Sequence, residues 1–179
     1  MMTNKLMDKL YIPNSIVTNK VSINKETSYK AYKELHCDMT LQEFLNISAT
    51  TYNYALGGTR GVPVDLYLKE VKQDKIVIPS TYGISQLGYM LTGLSISEIT
   101  LEEGITNILG IEYCDNLTTI HLPVSLTNIS SYGISNNTNL KNVYYAGTME
   151  QWANVTLGYR WNSGTSITVI HCSDGDVTL

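Results

Sequence analysis

Two histidine–cysteine doublets, His36–Cys37 and His171–Cys172, and the triplet Asp174–Gly175–Asp176 carry the side-chain types that could do chemistry. A thiol beside an imidazole is the raw material of a cysteine nucleophile with its base, or of a metal site. The spacing argues against both, because neighbours on a strand point to opposite faces and cannot meet. Packing is the plainer role for these doublets. Cys37, Cys114 and Cys172 contain no Cys-x-x-Cys pair and leave one thiol over in any pairing, which predicts reduced thiols rather than a disulfide framework or zinc knuckle. Asp-Gly-Asp lacks the repeated acidic spacing and terminal glutamate of a calcium loop and reads as a polar tail. "ALGGTRG" (residues 55–61) is glycine-rich, but it lacks Lys-Ser/Thr and follows a helical pattern, the reverse of a phosphate cradle. The chain is read as a non-enzyme with no metal or cofactor.

Any such side chain needs a scaffold, and the 179 residues, 43% of them hydrophobic, suffice for one substantial core. Only 16% are charged, for a formal net charge of −4, so Asn, Ser and Thr carry much of the polarity. Residues 1–36 hold six lysines against Asp8, Glu26 and Glu34, while the remainder is acidic. Either a solvated tail or an arm docking on an acidic partner fits this asymmetry, with Lys5, Lys9, Tyr11 and Lys20 as candidate contacts. No dense Lys/Arg patch interleaved with aromatics supports nucleic-acid binding. The N-terminus lacks a signal-peptide apolar run and no stretch is long enough to insert in a membrane, so signal-dependent export is not expected.

Residues 1–38 show little periodicity and read as an extended arm. Thr40 and Glu43 form a capping box ahead of Leu41, Phe44, Leu45, Ser48, Tyr52, Ala55 and Leu56 on one helix face, and Gly57 supplies the stop. "VDLYL" follows as a strand with Val64, Leu66 and Leu68 on one side. Residues 39–70 are thus a capping helix and first strand. From residue 71, Ile76, Ile99, Ile120 and Val143 recur at near-equal intervals, and a period of this length signals a solenoid. Each is followed two positions later by Ile78, Leu101, Leu122 or Tyr145, and Ile105 with Ile108 matches Leu126 with Ile129. Parallel strands stacked ~4.8 Å apart would bury these as a continuous aliphatic column. Asn107 and Asn128 recur in register, where their amides are expected to bond neighbouring coils as a structural ladder.

The pattern Leu-x-x-Ile-x-Leu-Pro-x-x-Leu-x-x-Ile, from Leu117 to Ile129, closely resembles the BspA-type leucine-rich repeat of bacterial surface and phage-encoded proteins. "VYYAGTMEQWANVTLG" and "ITVIHCSDGDV" look like the terminal segment of such arrays. The resemblance covers about residues 71–179, with repeats over 71–145 and a C-terminal cap over 146–179. The Ala-Phe pair usual in the family's convex turn is replaced by "GIEYC" and "SYGIS", and residues before 65 find no match. It implies an α/β leucine-rich-repeat solenoid, with a short parallel sheet and an irregular or short helical convex side. It also implies a buried packing role for Cys114 and a cap anchored by Trp152.

If the aliphatic columns point inward, strand alternation turns Val77, Thr100, His121 and Tyr144 outward in one row, with Lys75, Glu98, Thr119 and Asn142 beside them. This row is either a recognition surface for another macromolecule or an ordinary solvated face. The expected function is non-enzymatic binding or assembly: a phage virion structural or host-recognition component docked through its N-terminal arm, recognising a protein partner and present as a homo-oligomer or in many copies. An interaction or adhesion module in the bacterial cytoplasm or at the cell surface is the alternative.

Overall fold

The computed structural model describes residues 8–12, 33–46 and 63–179. Lys5, Lys20 and the expected helix beyond Asn46, with its Gly57 stop, lie outside the described residues. The fold is α/β, with three largely parallel sheets and short helices. The first sheet runs β1 (Lys9–Ile12), β2 (Glu34–Cys37), β3 (Asp65–Leu68) and β4 (Val71–Gln73) in that order. The second has six strands, from β5 (Lys75–Ile78) through β7 (Glu98–Leu101), β9 (Thr119–Leu122), β11 (Asn142–Tyr145) and β13 (Val169–Cys172) to β14 (Gly175–Thr178). The third joins four two-residue strands, β6 (Gln86–Leu87), β8 (Asn107–Ile108), β10 (Asn128–Ile129) and β12 (Thr156–Leu157). Helices α1 (Leu41–Asn46) and α2 (Met149–Ala153) each span little more than one turn.

A four-residue strand with two inward aliphatics cannot bury them unaided, and in-register pairing supplies the cover. Ile76, Ile99, Ile120, Val143 and Ile170 are successive partners across the six-stranded sheet. Each is almost fully buried, which stabilises the fold by roughly 1.5–3 kcal/mol per side chain relative to exposure. Leu87, Ile108 and Ile129 of the short strands join the same core, as do Ile96, Leu117 and Leu140 ahead of the strands. Hydroxyls secure the turns that lead into strands. Thr118 Oγ1 donates to the Ser97 carbonyl (3.2 Å), Thr106 Oγ1 to Ser85 (3.1 Å) and Thr127 Oγ1 to Thr106 (3.0 Å).

At the C-terminal end, Thr148 and Gln151 form a capping box on α2, and Asp174 Oδ1 accepts from the Met149 N–H at 2.8 Å. These contacts hold Trp152 edge-on to Tyr145 (5.3 Å between ring centroids) and to Trp161 (6.1 Å), with both tryptophans buried. The expected box on α1 is formed: Thr40 N–H donates to Glu43 Oε2 (2.8 Å) and Glu43 N–H to Thr40 Oγ1 (3.3 Å).

Three expectations are corrected. The described parts of residues 1–38 are strands of a sheet rather than a free arm: Leu10, Leu35 and Leu66 are register partners, as are Ile12, Cys37 and Leu68. Leu35 is 0% exposed, so removing these strands would uncover core. Residues 174–178 are a tight turn and an antiparallel edge strand on β13, not a polar tail. Asn107 and Asn128 do lie side by side, yet Asn107 Nδ2 donates to Thr106 in its own turn (2.8 Å) and Asn128 Nδ2 to Ser130 (3.5 Å). The cross-strand bonds there fall to threonine hydroxyls. The buried amide that does bridge is Asn137: its Oδ1 accepts from Cys114 N–H (2.8 Å), and its Nδ2 donates to the carbonyls of Ile111 (2.8 Å) and Ile134 (2.9 Å).

Candidate binding surface

The inward columns leave the alternate side chains of β5, β7, β9, β11 and β13 facing outward. Val77 partners Thr100, Thr100 partners His121, and Tyr144 lies between His121 and His171. The rings stack: His121 and Tyr144 are 5.0 Å apart at 13°, and Tyr144 and His171 are 5.0 Å apart at 27°. Stacked aromatic contacts contribute roughly 0.5–1.5 kcal/mol each beyond their burial. Tyr144 is nevertheless 42% exposed and Val77 48%.

The flanking row is also continuous, Lys75 to Glu98 to Thr119 to Asn142. Lys75 Nζ meets Glu98 Oε2 at 2.7 Å, and this hydrogen bond raises the lysine's pKa and lowers the carboxyl's. The pair is solvated and screened, so it contributes little to stability. Asn142 Nδ2 donates to Thr119 Oγ1 at 3.5 Å, and His171 Nδ1 lies 2.9 Å from Asp176 Oδ1. Two shallow depressions, of about 430 and 380 Å³, adjoin at His121, Leu122 and Ala146 along the C-terminal ends of the strands.

A second ladder occupies the first sheet. His36 stacks between Tyr11 (4.8 Å, 29°) and Tyr67 (4.3 Å, 3°). Its ring nitrogens face Glu34 at 2.8 Å and Glu70 at 3.2 Å. Bonding to His36 is the main cause of the lowered Glu34 pKa, followed by bonding to Lys9, whose Nζ lies 2.9 Å away. Lys9 and Tyr11 therefore take part in a sheet face. All three histidines of the chain stand in ring stacks beside carboxylates, His36 buried between its tyrosines and the other two part-exposed.

The sequence reading brought Val77, Thr100, His121 and Tyr144 together but missed His171 and the whole Tyr11–His36–Tyr67 stack. The signal for His171 was "VIHC" echoing "TIHL". Among the described residues, no group of three or more His, Cys, Asp or Glu side chains is arranged to hold a metal ion. No helix among them is long and apolar enough to cross a membrane. Cys114 is buried, donates from Sγ to the Leu91 carbonyl at 3.0 Å, and has its pKa pushed up to about 12 by burial.

Compared with known proteins, the chain matches no family model, no curated protein and no solved structure.

Proposed function

We propose that this chain is a non-enzymatic binding or assembly protein, a BspA-like leucine-rich-repeat solenoid whose six-stranded sheet presents a recognition surface. The observation that carries the reading is the uninterrupted outward row from Val77 to His171, whose stacked rings leave polar tips in solvent. Rigid aromatic side chains make strong contact anchors because little rotamer freedom is lost when they bind. Aliphatic partners succeeding one another at near-constant spacing support the solenoid.

In this reading the protein is a phage virion structural or host-recognition component, and its partner is a surface macromolecule of the bacterial host. The test is binding of fluorescently labelled full chain to intact bacterial cells across a strain panel, wild type against Tyr144→Arg. Saturable binding weakened at least about tenfold by the substitution, a change of about 1.4 kcal/mol, is expected. No binding by the wild type, or equal binding by both folded proteins, overturns the proposal.

A further inference from the structure

We propose that the groove at the C-terminal ends of β7, β9, β11 and β13 binds a neutral, hydroxyl-rich glycan chain, an inference that rests on the recognition-surface reading and names its ligand class. Its two depressions adjoin at His121, Leu122 and Ala146 and together extend across the strands as a shallow trough. The polar lining consists largely of groups that both donate and accept, among them Ser80, Thr100, Tyr144 and Ser173, and Glu102, whose Oε2 already accepts from the Ser80 N–H at 3.1 Å, offers its other oxygen as an acceptor. Sugar hydroxyls have the same dual character, so they can replace water at these groups without stranding an unpaired polar atom.

Three further features point to this ligand. Tyr144 is clamped by an imidazole on each face, which fixes the direction of its hydroxyl before any ligand arrives. No described residue hydrogen-bonds that hydroxyl, and His121 Nε2 approaches only Glu98, at 3.6 Å, beyond hydrogen-bond distance. On its other side His121 neighbours Thr100, which has no ring, and the His121 side chain stays 40% exposed for contact with the C–H face of a pyranose. Strands succeed one another at ~4.8 Å, close to the advance per unit of an extended glycan, so four strands offer places for about three sugars.

Charge and backbone narrow the class. Glu102 and Glu103 stand at the trough and neither lysine nor arginine lines it, which disfavours sulfated, phosphorylated or uronic chains. The backbone groups of these strands are engaged in the sheet ladders, and Leu101, Leu122 and Tyr145 beneath the trough are already buried. Much of the exposed lining is apolar, which suits the C–H faces of sugar rings, and a peptide would find no free strand edge along the trough to extend.

The test is calorimetric titration of the full chain with maltohexaose, cellohexaose and chitohexaose, beside a heparin hexasaccharide and hexalysine. Binding of at least one neutral hexasaccharide is expected, weakened about tenfold by Tyr144→Phe and by Glu102→Ala, the loss of one well-placed hydrogen bond each. Tyr144→Phe keeps the ring stack, and circular dichroism checks that both variants fold. Silence of all three neutral sugars, binding only of heparin or hexalysine, or indifference to both substitutions overturns the inference. If Tyr144→Arg weakens cell binding as expected while the neutral sugars are silent, only the glycan class falls. If the wild type binds neither cells nor sugars, the recognition surface falls with it.

Discussion

Replacing Asn137 with alanine tests how the connecting turns are held to one another. The side chain is 0% exposed and makes three bonds, to Cys114 N–H and to the carbonyls of Ile111 and Ile134. At about 1 kcal/mol net per bond, Asn137→Ala costs about 3 kcal/mol, and more if the three stranded backbone groups find no water. For a chain of this size each kcal/mol corresponds to about 2–4 °C, so Tm should fall by about 6–12 °C. Asn137→Asp should not rescue stability, because a carboxylate accepts from Cys114 but cannot donate to the two carbonyls. Asn107→Ala is the control: that amide is only half-buried and donates within its own turn, so its loss should cost below about 1 kcal/mol. Urea unfolding followed by tryptophan fluorescence measures all three. Equal costs for Asn137→Ala and Asn107→Ala, or a cost under about 1 kcal/mol for Asn137→Ala, would be incompatible with a bridging role for Asn137.

Further outcomes follow from buried titratable groups and a strained turn. Burial pushes the Glu112 carboxyl above its ordinary range, with Ser135 bonding partly opposing the shift, so its stabilising effect is fully present below the unfolded value and is lost as pH rises through the folded one. Glu112→Gln should therefore flatten the acid side of the stability profile and raise Tm at pH 7; an unchanged or lower Tm there contradicts this. Cys37 and Cys114 are buried with pKa values pushed up to about 12, while Cys172 is half-buried. An Ellman assay of the native protein should find one reactive thiol, Cys172, and three after unfolding; rapid reaction of a second native thiol would count against the packing described. Lys69 and Glu70 turn the chain between β3 and β4 at φ values of 46° and 63°, where non-glycine residues are strained. Lys69→Asn should stabilise by up to about 1 kcal/mol in urea unfolding, and a loss of stability would show that Lys69 has a compensating contact.

The aliphatic columns were legible because four strands of one sheet follow one another at near-equal intervals with two inward side chains each. Once that register is known, Thr100, His121 and Tyr144 follow from alternation alone. Of the first sheet only β3 was read as a strand, because Lys9, Glu34 and Asp65 are partners across unequal gaps, too irregular to read as a period. The β3–β4 turn carries Lys-Glu where asparagine or glycine would have announced a hairpin, and it places Glu70 3.2 Å from His36. Asn137 was overlooked in favour of Asn107 and Asn128, because repetition in sequence marks register whereas bridging depends on burial. His171 was read only as half of a His–Cys doublet, and its place in the row was missed because β13 follows β11 after a longer connection than any between the earlier strands of its sheet.

The three histidines make the proposed recognition surface open to observation residue by residue. With histidine ¹³C-labelled chain, His121 and His171 report on the six-stranded face, and His36, held between Tyr11 and Tyr67 in the other sheet, serves as an internal reference. On titration with solubilised surface material from the cells that bind the labelled chain, the ring signals of His121 and His171 should shift together while that of His36 stays in place. A shift of His36 alone, or none at His121 and His171 while the material is bound, would place recognition elsewhere on the molecule and remove the six-stranded face from the proposal.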